Sequence, residues 1–248
     1  MPTIEIPAAD GAAEAYLSRP SGDDDLPGVL FYVDAIGLRP RIEEMADRIA
    51  SWGYVVLAPH LFYREGRAAD LAPQEDLRAP EARERFFVGA SKRVAALTPD
   101  LSNADAPAWL ATLREHAAPG PVGITGYCMG ARLAVRSAAQ FPDDVRAVGG
   151  WHGGGLVTDA GDSPHRLLDG TRAAYVFGHA DQDPSMPAEA VAALGEALTA
   201  AGVEHSNEIF PGAPHGYSMS DTSVYDADAT ERHFTALRGL LDTHVARS

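Results

Sequence analysis

Cysteine is almost absent: Cys128 is the only one in 248 residues. A single thiol forms no internal disulfide and no cysteine-based zinc cluster, and it fits a reducing compartment. Any chemistry at Cys128 is therefore done without a second sulfur from the chain. Basic charge is scarce as well. Twenty lysines and arginines stand against 35 aspartates and glutamates, a formal net charge of −15, which argues against a nucleic-acid binder or a protein held on anionic lipid. No apolar run reaches the length of a membrane span, and Met1-Pro2-Thr3-Ile4-Glu5-Ile6-Pro7 lacks the basic-then-apolar order of an export signal. The expectation is a cytoplasmic protein with neither nucleic-acid nor membrane partners. A hydrophobic content of 46% with 22% charged residues is ordinary for a globular protein able to bury a sizeable core.

What the chain does have is an alternation of apolar strands and amphipathic helices. Residues 3–6 and 13–18 flank Asp10-Gly11, a turn pair, and read as an antiparallel hairpin. The apolar run over 27–33 is too short and too rich in β-formers for a helix. A helix over 40–51 follows, with Ile42, Met45, Ile49 and Ala50 on one face and Gly53 at its end, and then a strand over 54–58. Segment 60–97 is less regular, includes a helix over 80–97, and is where a cover over a site would lie. Further helices are expected over 105–117, 130–140, 187–201 and 225–245, strands over 122–125, 146–151, 173–177 and 204–210, and a polar loop at 21–25. No repeat or linker-like break divides the chain. The pattern predicts a single α/β domain over 1–248, with a mostly parallel sheet covered by helices on both faces.

In such a sheet, ligands bind at the carboxyl ends of the strands. Gly126-Tyr127-Cys128-Met129-Gly130 stands at one of those ends. It has the form Gly-x-nucleophile-x-Gly, the strand-to-helix elbow of α/β-hydrolases with cysteine in the place of serine. Glycines suit a sharp turn where strand and helix pass closely, and the free N–H groups of a helix start favour a thiolate over a thiol. Two later strand ends supply partners in the order nucleophile, acid, histidine: Asp181 or Asp183 after 173–177, and His215 after 204–210. Asp181, nearer the strand end, is preferred over Asp183, which beside Pro184 reads as a turn residue. His60 and His152 also follow strands, but only His215 follows both the last strand and an acid. The N–H of Met129, next to the nucleophile, and that of Ala35, after an earlier strand, are the candidate oxyanion donors.

The elbow with Arg132-Leu133-Ala134, then Gly178-His179-Ala180-Asp181, then Pro214-His215-Gly216-Tyr217, resemble the dienelactone hydrolase family over most of the chain. The resemblance implies the α/β-hydrolase fold and a triad of Cys128, Asp181 and His215. It also implies a hydrolase of a small-molecule ester or lactone that uses neither metal nor cofactor. Family members carry a glutamate where Asp34 stands, and that carboxylate contacts the resting nucleophile; Asp34 is thus expected either to ready Cys128 or to fix the turn before Gly37. They also place an arginine shortly after the catalytic histidine to hold a substrate carboxylate. Tyr217-Ser218-Met219-Ser220 contains none, so Arg64, Arg78 and Arg83 become the candidate cations, with Tyr217 a candidate substrate contact. Two rivals stand beside acyl transfer: a non-catalytic small-molecule binder that keeps the elbow as architecture, and a thiol redox sensor whose resolving thiol comes from outside.

Overall fold

A computed structural model of the chain describes residues 3–22 and 25–246, so the polar loop expected at 21–25 lies partly outside them. Asp10-Gly11 reverses the chain between β1 (Thr3–Ala8) and β2 (Gly11–Ser18), which pair in register from Thr3 with Tyr16 to Ala8 with Gly11. There follow β3 (Gly28–Tyr32), α1 (Pro40–Ala50), β4 (Val55–Pro59), a single-turn α2 (Ala68–Leu71), α3 (Pro80–Ala96) and α4 (Pro99–His116). The second half runs β5 (Val122–Tyr127), α5 (Met129–Gln140), β6 (Val145–Trp151), β7 (Ala174–His179), α6 (Ala188–Ala200), β8 (His205–Ile209) and α7 (Ala227–His244), with a short 3-10 turn at Pro164–Leu167. No helix among the described residues is long and apolar enough to cross a membrane.

The eight strands form one sheet in the order β1-β2-β4-β3-β5-β6-β7-β8. Only the hairpin strands run antiparallel to their neighbours, and every pairing from β4 to β8 is parallel. β3, β4 and β5 are buried at every residue, which is why their sequences run apolar instead of alternating. Adjacent residues of β3 face opposite layers of helix. Phe31 stacks on Tyr127, whose hydroxyl meets His233 of α7 at 3.1 Å, whereas the Tyr32 hydroxyl meets Ser137 of α5 at 2.7 Å. α1 joins α7 on its face through the Arg48 guanidinium, which grips both oxygens of Glu231 at 2.6 Å.

α4 starts six residues earlier than the sequence suggested. Thr98 caps it by accepting from Leu101 N at 3.3 Å, and Pro107 lies inside the helix. Proline has no N–H for the carbonyl four residues back. The carbonyl of Asn103 accepts instead from the side-chain amide of Gln140 on α5, at 3.1 Å. A broken backbone bond thus becomes a tie between two helices.

The chain leaves β3 toward β4 on one side and returns to β5 on the other, so the carboxyl ends of β3 and β5 meet where the topology reverses. α5 passes so close there that a Cβ on Gly130 would lie 2.5 Å from the carbonyl oxygen of Tyr32, and one on Gly126 would overlap the Gly130 carbonyl and stand 2.8 Å from Ala131 N. Backbone cannot give way as a side chain can. Gly126→Ala should therefore cost about 3 kcal/mol or more and lower Tm by about 6 °C or more. Gly239→Ala on α7, where the added carbon meets nothing within 4 Å, should leave Tm unchanged or raise it, and thermal unfolding of the two variants checks the contrast.

Candidate active site

β5 ends at Tyr127, and the next residue carries the turn. Cys128 N still donates to Trp151 O at 3.0 Å, but the Cys128 backbone sits at φ 54°, ψ −117°, a region that a residue with a side chain adopts only under strain. This conformation starts α5 at Met129 and leaves the thiol half-exposed at the end of the sheet.

His215 arrives from the loop after β8. Its ring shares the cavity wall with Cys128, and its Nδ1 donates to Asp183 Oδ2 at 2.6 Å. Asp183 is buried, and its other oxygen accepts the Ser185 N–H at 2.9 Å and the Ser185 hydroxyl at 2.7 Å. Burial works against charge on His215, yet the neighbouring Cys128 and the Asp183 carboxylate outweigh it and raise the imidazole to about 10. Burial also works against charge on Asp183, and the bonds from His215 and Ser185 overcome it, holding the carboxyl below its ordinary range.

The preference for Asp181 is corrected here. Gln182 takes a left-handed backbone, φ 51°, and the side chains on either side of it part. The Asp181 carboxylate accepts from Gly212 N at 2.8 Å and its N–H donates to Ala213 O at 2.7 Å, so it anchors the loop that carries His215 and does not touch the ring. Asp183 is the turn residue the sequence suggested, through its bond to Ser185 N, and the histidine partner at once. Ser185 had a readable signal, since an aspartate two residues before it is the pattern of such a turn. Tyr217 is also corrected: it is fully buried, its hydroxyl donates to Gly178 O at 3.0 Å, and it pins the His215 loop to β7 without facing the cavity.

Asp34 lines the cavity beside Cys128, but its carboxylate is already engaged. Oδ1 accepts from Ile36 N at 3.0 Å, Gly37 N at 3.3 Å and Arg39 Nη1 at 2.7 Å, and Oδ2 accepts from Arg39 Nη2 at 3.1 Å. Arg39 in turn donates to Asp221 through Nε at 2.5 Å. Of the two expectations for Asp34, the geometry matches the fixing of the turn. Arg39 gave no signal in the sequence, where it stands only as the residue before a helix. Asp34 thus takes the N–H groups of Ile36 and Gly37, while Ala35 lines the cavity with Cys128 and its N–H has no hydrogen-bond acceptor among the described residues.

The three predicted cations fare differently. Arg64 grips the buried Asp105 at 2.7 and 2.9 Å and Asp10 at 2.7 Å, tying the first hairpin to α4 away from the site. Arg78 is exposed and pairs with Asp76. Arg83, on α3, does line the cavity that holds Cys128, with its guanidinium 4.7 Å from the Phe87 ring and its Nε buried without a partner among the described residues. His152 lines the same cavity; it is buried, bonds Ser218 Oγ at 2.8 Å, and is held well below its ordinary pKa by burial and by His215. His60 lies outside the site, bonded to Gly66 O at 3.0 Å. Among the described residues no cluster of histidine, cysteine and carboxylate side chains could hold a metal ion.

The family model for the dienelactone hydrolase family matches residues 13–245. The chain belongs to that family. A putative carboxymethylenebutenolidase of Methylorubrum extorquens is 26% identical over 235 residues, 92% of this chain and 76% of that protein, and one of Escherichia coli K12 is 28% identical over 233 residues, 91% of this chain and 80% of that protein. Among solved structures, a putative dienelactone hydrolase of Klebsiella pneumoniae superposes with a TM-score of 0.73 at 23% identity, covering 96% of each chain, which is agreement of fold. As a member of the dienelactone hydrolase family the protein is a carboxylic-ester hydrolase.

The two aspartates are separable by mutation. Asp183→Asn should lower kcat for ester hydrolysis by about 10³-fold or more, as loss of the residue that orients a catalytic histidine does elsewhere, while Asp181→Asn should keep most of the activity. Steady-state kinetics on one ester substrate checks both.

Proposed function

We propose that the protein hydrolyses a small ester or lactone by two-step acyl transfer through Cys128, with His215 as acid and base and Asp183 as the residue that orients it. The observation that carries this reading is that Cys128 and His215 share one cavity wall while His215 is bonded to the buried Asp183 at 2.6 Å. A fold kept only as a binding scaffold has no need of it, and a redox sensor has no need of the histidine's second partner.

In the first step the Cys128 thiolate attacks the substrate carbonyl, a C–S bond forms, and the oxyanion is received by the N–H groups of Met129 and Ala35. The C–O bond then breaks and His215 gives its proton to the leaving oxygen. Acylation removes the negative charge at Cys128, one of the influences that raise His215, so the imidazole parts with its proton readily at this point and is left as a base. Water then attacks the thioester, His215 takes its proton, and the C–S bond breaks to return thiolate and imidazolium. Nothing in the cycle calls for a cofactor. Segment 60–97 is the proposed cover: α3 buries only Ala82 and Ala90 of its 17 residues, and it brings Arg83 and Phe87 to the cavity wall. A lone thiol of this kind suits the reducing conditions of the cytoplasm.

Hydrolysis of short p-nitrophenyl esters and small lactones tests the reading. Cys128→Ala and His215→Ala should each lose about 10⁴-fold or more in kcat, with Cys128→Ser far below wild type. Full activity in Cys128→Ala, or no turnover of any ester or lactone by wild type, would sink it. The pH dependence has a definite sign. His215 must be protonated in the free enzyme to serve the leaving group, so kcat/KM should fall as pH rises through about 10. Asp183→Asn, which removes one of the influences that hold the proton on, should move that limb to lower pH.

A further inference from the structure

α3 buries only two alanines, yet one of its side chains reaches through to the turn after β3. Arg93, on the last turn of α3, donates from Nη2 to the carbonyl of Ala35 at 3.3 Å. Its Nη1 donates to the carbonyl of Leu71, the last residue of α2, at 3.2 Å. The guanidinium lies over two rings, 5.3 Å from the centre of Phe62 and 5.2 Å from that of Phe86. Glu65 and Asp34 act on its charge, but no carboxylate among the described residues forms a salt bridge with it. Arg39, Arg48, Arg64 and Arg78 do meet carboxylates; Arg93 is spent on main chain instead. Its planar fork suits that task, spanning two carbonyls while its face rests on aromatic rings.

The Ala35 carbonyl matters because of the N–H on the same residue. In a trans peptide the C=O and N–H point to opposite sides, and the peptide that joins Ala35 to Ile36 is gripped on both. Ile36 N donates to Asp34 Oδ1 at 3.0 Å on one side, and Arg93 donates to the carbonyl on the other. The preceding peptide is held through Asp34 O, which accepts from Gly37 N at 3.1 Å. Both planes that flank the Ala35 Cα are thereby fixed, and with them the direction of the Ala35 N–H. Phe62 backs the same turn, since a Cβ on Gly37 would meet its Cδ2 at 3.6 Å. Of these restraints only Arg93 comes from α3.

We propose that Arg93 is a positioning residue: by fixing the peptide after Ala35 it aims the N–H that receives the oxyanion, and it makes a seated α3 a condition of an effective oxyanion site. The inference rests on the reading of Cys128 as nucleophile and Ala35 as oxyanion donor.

Two reactions of the only thiol in the chain separate this role from a general one. Hydrolysis of p-nitrophenyl acetate puts an electron pair on the carbonyl oxygen as each tetrahedral intermediate forms, and so draws on the oxyanion site. Alkylation by iodoacetamide forms a C–S bond at a saturated carbon and expels iodide, and no oxyanion arises. Arg93→Met keeps the apolar stem and loses the donors. It should lower kcat by about tenfold or more, up to the 10²–10³-fold that loss of an oxyanion donor costs, and leave the alkylation rate nearly unchanged. A short alkyl trifluoromethyl ketone, which adds to the thiolate and leaves an oxyanion in place, should bind more weakly by a similar factor. Arg93→Lys, which keeps the charge and reaches one carbonyl at most, should lie between, and it carries the test if Arg93→Met does not fold. Equal losses in hydrolysis and alkylation would mean that Arg93 acts on the thiol or on the fold at large, and would overturn the proposal. So would a raised KM with kcat unchanged, the mark of a cover that only retains substrate. Ala35→Pro removes the N–H itself, and full activity there would strike the reading of Ala35 and the proposal with it. A wild type that neither hydrolyses esters nor reacts with iodoacetamide would strike the nucleophile reading instead.

Discussion

The strained backbone of Cys128 is the constraint on which the rest of the structure depends. A side-chain-bearing residue at φ 54° costs about 1–3 kcal/mol, and it persists only where the surroundings over-determine it. Here they do so from three directions. Cys128 N is fixed to β6 through Trp151 O, α5 is pressed onto the end of β3 at Gly130, and β5 is pressed onto α5 at Gly126. One consequence is that the thiol stands clear of the sheet. Another is that α5 starts directly beside it, at the same edge where the loop after β3 brings Ala35 to the cavity wall. Relaxing the turn would lose both together.

That loop is held by buried charge. Asp34, Arg39 and Asp221 form a chain in which both side chains of the Asp34–Arg39 pair are less than a tenth exposed. Such groups owe little to Coulomb attraction net of desolvation, but removing one partner leaves the other buried and uncompensated, at about 3–5 kcal/mol. The pair is therefore better understood as a clamp on loop shape than as a source of stability. Asp34 draws the N–H groups of Ile36 and Gly37 to itself, and the loop so shaped brings Ala35 to the cavity wall. Arg64 with Asp105 and Asp10 does the same for the opening hairpin and α4. The arginines so employed are unavailable to a ligand, and the contrast gives Arg83 its interest.

The fold was legible because its signals are local and repeated. Apolar runs bounded by glycine and proline gave the strands, the elbow glycines gave the strand-to-helix turn, and the order of strand ends gave His215. The start of α4 was hidden by Pro107, whose cost is met by Gln140, thirty-odd residues away and on another helix. The choice between Asp181 and Asp183 turned on the backbone of Gln182, a left-handed residue with no glycine to announce it. Tyr217 and Arg64 were misread for one reason: their residue types suit a ligand, but whether such a side chain points at the cavity or at Gly178 O and Asp105 is decided by tertiary packing.

In the proposed reaction, the charges at the site suit a cysteine in the place of a serine at this elbow. A serine hydroxyl gives up its proton only as it attacks, so its histidine waits neutral. Here the raised His215 holds its proton before any attack begins, with the buried Asp183 beside it. In the proposed cycle, attack carries the negative charge from sulfur to the substrate oxygen, so the anion beside His215 is lost as the C–S bond forms. The imidazolium relaxes by giving its proton to the leaving group.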